Sequence, residues 1–196
     1  MIGALPTSLE VGGRQYSIRS DFRVVLNIFE ALNDPEFADR DKVYIILKSL
    51  YIEDIPENHL KEALEMASWF MDGGNMPKSK PLPGRKTFDW KHDEAIIFPA
   101  INKTAGYEVR GAAYLHWWTF IGYFNEIGDG LYSTVMHIRC KRASGKKLDK
   151  GEQEFYKNNK DLIDVKEQKS IYELEAEKAD EDFLNTCLLY TSPSPR

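Results

Sequence analysis

Apolar positions recur along this chain at two spacings, first two and then three to four. Leu9 and Val11 alternate with polar residues before Gly12-Gly13, and Tyr16 and Ile18 alternate after it. A period of two predicts strands, and paired glycines tolerate the positive φ of a tight turn. Residues 8–18 therefore predict a β-hairpin. A lone hairpin is unstable in water, so it must lie against other elements.

From residue 21 the spacing becomes helical. Phe22, Val25, Phe29 and Leu32 predict a helix over about 21–32, capped by Ser20 or Asp21 and stopped by Asn33-Asp34-Pro35. Val43, Ile46, Leu47 and Leu50 predict the inward face of a second helix over 40–51. Leu60, Leu64, Ala67 and Met71 do the same for a third over 57–71, ended by Gly73-Gly74. Residues 73–86 are crowded with Pro, Gly, Lys and Arg and predict an exposed, mobile loop. A fourth helix is expected from near Asp89, containing Trp90, Ile97 and Ile101, with Pro99 kinking or splitting it.

A fifth helix is expected over 112–127, with Tyr114, Trp117, Trp118, Ile121 and Phe124 on a broad apolar face. A sixth follows over 131–142, with Leu131, Val135 and Ile138 inward. From Glu152 to Asn185 the chain reads as charged helix. Leu162, Val165, Tyr172, Ala176, Ala179 and Phe183 form either a coiled-coil seam or the apolar side of a helix lying on the domain. The pattern gives a mostly α fold: a compact multi-helix domain over 1–166 with a short N-terminal β-hairpin, then a charged C-terminal helix over 167–186.

The stretch HWWTFIGYFNEIGDG, residues 116–130, is the densest in aromatics and invites four readings: membrane anchor, aromatic platform, a site on His116, or a buried helix. Its apolar core falls short of the roughly 20 residues a bilayer span needs. It lacks the interleaved Lys or Arg of a nucleic-acid platform. Burying one tryptophan removes roughly 150–250 Å² from water. The stretch is therefore read as the central packing helix, its indole N–H groups requiring polar partners.

Composition changes this picture little. The chain has 196 residues, 42% hydrophobic and 29% charged, with a formal net charge of -5. An acidic balance argues against general nucleic-acid binding. No run is apolar and long enough for a membrane helix, and the N-terminus lacks the features of a signal peptide. The last ten residues, CLLYTSPSPR, match the translation of a common sequencing-transposase adapter. Residues 187–196 are accordingly expected to be adapter read-through from a metagenomic read. Without them the net charge becomes -6, and Cys140 stands without a disulfide or metal-binding partner.

Candidate chemistry is sparse. HIRC pairs His137 with Cys140 at i,i+3, which gives two ligands where zinc takes three or four. His92 sits among Asp89, Asp93 and Glu94, a pattern suited to a hard cation or acid–base work. Acidic residues are equally what the first turn of a helix favours, and that explanation is preferred. Ser133 and Thr134 near His137 lack an elbow motif and an identifiable third member. Lys78, Lys80, Arg85 and Lys86 make the proline-rich loop a candidate partner contact, or simply a solvated one. No catalytic, cofactor-binding or metal-binding residue is assigned.

At YLHWWTFIGYFNEI the chain resembles the "gene product fifteen" family of bacteriophage proteins, found in tail modules of long-tailed phages of Gram-positive bacteria. DFRVVLNIFEALNDPE, WFMDGG, FDWKHDEAIIFPAI and DKGEQEFYKNNKDLIDV carry the resemblance across about residues 8–166. LHWWTF is the most specific of these segments; in it Leu115, His116, Trp117, Trp118 and Phe120 are expected to be core. Pro99 and INKTAGYEVRGAA depart from the family's usual helix-to-turn sequence. The resemblance implies no activity and no cofactor. It implies a tail assembly chaperone for the phage tape-measure protein or another tail protein, acting in the cytoplasm of the bacterial host, with self-association left open. A structural virion component, such as a tail-terminator or connector subunit, is the alternative. A small enzyme or regulator built on His92 is the remote one.

Overall fold

The computed structural model describes residues 3–74 and 87–165. The basic loop residues Lys78, Lys80, Arg85 and Lys86, the charged helix expected over 167–186 and the ten-residue tail lie outside the described residues. Within them the fold is mostly helical, opening on one antiparallel hairpin.

Strands β1 (Ser8–Val11) and β2 (Arg14–Ser17) pair in the register Ser8↔Ser17, Leu9↔Tyr16 and Val11↔Arg14. Gly12 and Gly13 turn the chain at φ 58° and 74°, a conformation that L side chains avoid. The alternation places Leu9, Val11 and Tyr16 in the core. The hairpin rests on the third helix, whose Glu62 accepts the Gly12 N–H at 2.9 Å.

Helices α1 (Phe22–Asn33), α2 (Asp39–Leu50) and α3 (Leu60–Met71) follow, α3 being preceded by a 3-10 turn over Glu57–His59. Asp21 caps α1 by accepting the Arg23 N–H at 3.0 Å. On α1 the inward residues are Phe22, Val25 and Ile28, with Phe29 and Leu32 partly buried. On α3 the inward stripe is Ala63, Ala67, Phe70 and Met71; Leu60 and Leu64 are only half-buried. The α2 expectation needs a larger correction, since Leu50 is its one buried residue and Val43 is exposed.

Helix α4 runs Glu94–Ala105, α5 Trp117–Asn125 and α6 Leu131–Ala143. Three expectations are corrected here. First, α4 begins at Glu94 rather than near Asp89, because Asp93 turns inward as its cap residue; Trp90 lies before it, and Pro99 interrupts without splitting it. Second, α5 begins at Trp117 rather than Ala112. Residues before it are extended because they pair with the chain entering α1: Phe22 N–H donates to Leu115 O at 3.0 Å and Trp117 N–H to Ser20 O at 2.8 Å. Tyr114 is therefore exposed at 55%, its hydroxyl 2.7 Å from that of Ser20. Third, Leu131 at the head of α6 is 50% exposed.

The expected long helix from Glu152 is also interrupted. A capping box between Asp149 and Glu152 starts α7 (Lys150–Asn158), the chain breaks at Asn159, and a single turn, α8 (Lys160–Ile163), follows. The break lets Ile163 turn into a second, smaller core with Ile96, Val135 and Ile138. Helix α4 is the wall between the two cores, with Ile97, Phe98 and Ile101 facing the main one.

Candidate functional site

The LHWWTF segment is a structural junction. His116 is buried at the N-cap of α5. Its Nδ1 accepts the Trp118 N–H at 3.0 Å, and its Nε2 therefore carries the proton and donates to Pro6 O at 2.9 Å. Both ring nitrogens are occupied by the backbone. The Trp117 indole donates to Met71 O at 2.9 Å and the Trp118 indole to Phe70 O at 2.9 Å. These carbonyls belong to the last turn of α3, which has no helical donors of its own. Two successive indoles thus cap a helix end that lies 46 and 48 positions earlier in the chain but adjacent in space, a use that explains why both are tryptophan. Leu115, Trp117 and Phe120 are buried and Trp118 half-buried.

The same helix end depends on two glycines. Gly74 N–H bonds Trp69 O at 2.9 Å and Gly73 N–H bonds Phe70 O at 3.2 Å, the Schellman pattern. Gly74 has φ 86°, and a Cβ there would stand 2.8 Å from the Trp118 ring. Gly74→Ala is expected to destabilise by more than about 1 kcal/mol, read as a lower urea midpoint. Gly13→Ala makes a useful control, with positive φ but nothing within 4 Å.

The His92 neighbourhood resolves into an ion pair. Asp93 is fully buried, and its carboxylate takes a bidentate grip from the Arg139 guanidinium at 2.7 Å on both oxygens. Its Oδ2 also accepts the Asp89 N–H at 3.0 Å. Arg139 spends its remaining donors on Thr87 O, Leu162 O and Ile163 O, at 3.1, 2.6 and 2.8 Å. Burial, with the Asp93 charge second, pushes the nearby Tyr132 phenol up to about 12. Glu94 is exposed, 3.8 Å from Arg110. Among the described residues no buried side-chain nitrogen or oxygen lacks a partner.

The other candidates do not converge. His137 Nε2 lies 3.1 Å from Glu152 Oε1, while Cys140 is exposed. The Ser133 and Thr134 hydroxyls both donate to Gly130 O at 2.9 Å, in the first turn of α6. Among the described residues no group of three or more His, Cys, Asp or Glu could hold a metal ion. No helix there is long and apolar enough to cross a membrane.

What sequence reasoning missed is a surface. Val43, Tyr44, Ile45, Ile46 and Leu47 form an unbroken apolar run on α2, and none is fully buried; Tyr44 is 62% exposed. Among the described residues, four of the eight exposed large hydrophobic side chains fall between Phe37 and Ile52, so the exposure is concentrated, not scattered. A groove of about 350 Å³ runs beside this helix, lined by Val43, Tyr44, Leu47, Ile55 and Leu60 together with charged Arg40, Lys48, Glu53 and Asp54. The available signal was the run itself: five consecutive apolar residues cannot all lie on one helical stripe.

Comparison with known proteins gives one family. No curated protein and no solved structure matches the chain. The family model described as Bacteriophage Gp15 protein matches residues 1–165, which spans both cores and every element described above. The chain belongs to this bacteriophage family and is a phage protein.

Proposed function

We propose that the protein is a non-enzymatic tail assembly chaperone that holds an apolar helical segment of the phage tape-measure protein in the host cytoplasm. The observation that carries this reading is the half-exposed apolar run on α2. Exposed apolar side chains gathered on one stretch of surface mark an interaction site. An amphipathic helix laid in the adjoining groove would cover Val43, Tyr44 and Leu47 with its own i, i+3, i+4 anchors. The charged residues of both signs along the groove would fix its orientation, and Lys48 already pairs with Asp54 there. The residues singled out as chemical candidates do not come together in one place, so the proposal assigns no reaction.

Co-expression tests it. The tape-measure protein is expected to stay soluble and co-purify with the wild type. The exposed pair Val43→Lys and Tyr44→Lys should weaken that capture by at least about tenfold, while unfolding shifts by no more than about 0.5 kcal/mol per site. Failure of every tape-measure segment to bind would defeat the reading. Mass spectrometry of purified virions should not find the protein; finding it there at stoichiometric levels would make it a structural subunit instead.

A further inference from the structure

The end of the described chain is tied to the rest mainly by polar bonds. No residue of α7 is buried, and Ile163 is the single buried residue of α8. Phe155, Tyr156 and Leu162 are only partly covered. Against this apolar contact stands a row of bonds, most of them to α6, with His92 Nε2 also 3.4 Å from Leu162 O. Lys141 and His137 meet Glu152 at 2.5 and 3.1 Å, and Arg142 pairs with Asp164 and lies 4.2 Å over the Tyr156 ring. Arg139 takes the carbonyls of Leu162 and Ile163, which as the end of a helix have no helical donors.

We infer that residues 150–164 form a strap that opens as one unit about the 144–149 turn, uncovering an apolar seat made by Ile96, Val135 and Ile138. Two features make this opening separable from unfolding. The Asp93–Arg139 pair joins the head of α4 to α6, so it stays intact when the strap leaves, and water replaces the two carbonyl acceptors. The other ties are ion pairs that keep part of each side chain in solvent, Lys141–Glu152 at 27% and 16% exposed and Arg142–Asp164 at 30% and 35%, so each contributes modestly. Regions with few buried apolar contacts open well below the global unfolding free energy. Ile163 fills the seat, flanked by the partly buried Phe155, Tyr156 and Leu162, and Arg139 receives the carbonyls of Leu162 and Ile163. The strap is thus a cover held in place by the chain itself. The inference is independent of the α2 surface.

Hydrogen exchange on the full chain, read by mass spectrometry, tests it. Amides over 150–164 should exchange together, at least about tenfold faster than those of α1 and α5. Ile163→Ala should speed α7 and α8 in concert and leave α1 and α5 unchanged. Protection over 150–164 equal to that of α1 and α5 would overturn the inference. So would a variant in which α8 responds but α7 does not, since that is fraying rather than strap release. As a second readout, Ile138→Cys in a background lacking Cys140 and Cys187 should react with a thiol reagent at the rate of strap opening. Reaction only at the global unfolding rate would also overturn it.

Discussion

Trp117→Ala is expected to cost about 3–5 kcal/mol, a large share of the roughly 5–15 kcal/mol that holds a domain together. Trp117 has no exposed surface and is ringed by Phe29, Trp90 and Phe120, with centroids 5.8, 6.4 and 5.7 Å away. Its removal leaves a cavity where α1, α5 and the segment leading into α4 meet. It also strips the Met71 carbonyl of its indole donor. A urea titration followed by far-UV circular dichroism should show a midpoint lowered in proportion to that loss. Trp117→Phe separates the two contributions, because it keeps most of the apolar volume and loses only the donor. It should cost about 1–3 kcal/mol. If Trp117→Phe is as damaging as Trp117→Ala, ring volume is not what the site needs.

The second large effect belongs to the buried ion pair. Arg139→Met leaves Asp93 charged, fully buried and short of its partner, and breaking such a pair costs about 3–5 kcal/mol. Asp93→Asn leaves the guanidinium in the same position. The double variant, with no net buried charge, should be less damaging than the sum of the two singles, since residues sharing one network are non-additive. Four urea titrations give the coupling. Strict additivity would mean that each side chain acts through its other bonds, Arg139 through the Leu162 and Ile163 carbonyls and Asp93 through the Asp89 N–H.

These two sites differ in how far the sequence disclosed them. The hairpin was legible because its information is local: alternating Leu9, Val11, Tyr16 and Ile18 around two glycines specify both strands and turn. Trp117 was legible as core because its area leaves little choice, while Trp118 is only half-buried; the need of both N–H groups for partners was clear. Which partners was not, since Phe70 and Met71 lie 48 and 46 positions earlier. The start of α5 was misplaced for the same reason. Residues 112–116 read as helix until Asp21 and Ser20 come alongside and take their backbone groups. Asp93 and Arg139 each looked like ordinary helix-surface charges, and only the approach of α4 to α6 makes them one buried unit. On α2, the same apolar spacing that predicts an inward stripe also describes a face left open, and periodicity alone cannot distinguish a covered face from an uncovered one.

Under the proposed function the aromatic motif serves the fold and the α2 surface would serve the partner. Trp118 tests that division directly. It is half-buried and donates to Phe70 O, so Trp118→Ala should weaken the fold without emptying the core as completely as loss of Trp117. The deciding measurement is the affinity of the folded Trp118→Ala protein for a tape-measure segment, taken at a temperature where circular dichroism shows it native. The account predicts a lowered unfolding midpoint with affinity unchanged. A protein with the wild-type midpoint that has lost the segment would contradict it, and would make the aromatic motif the binding site.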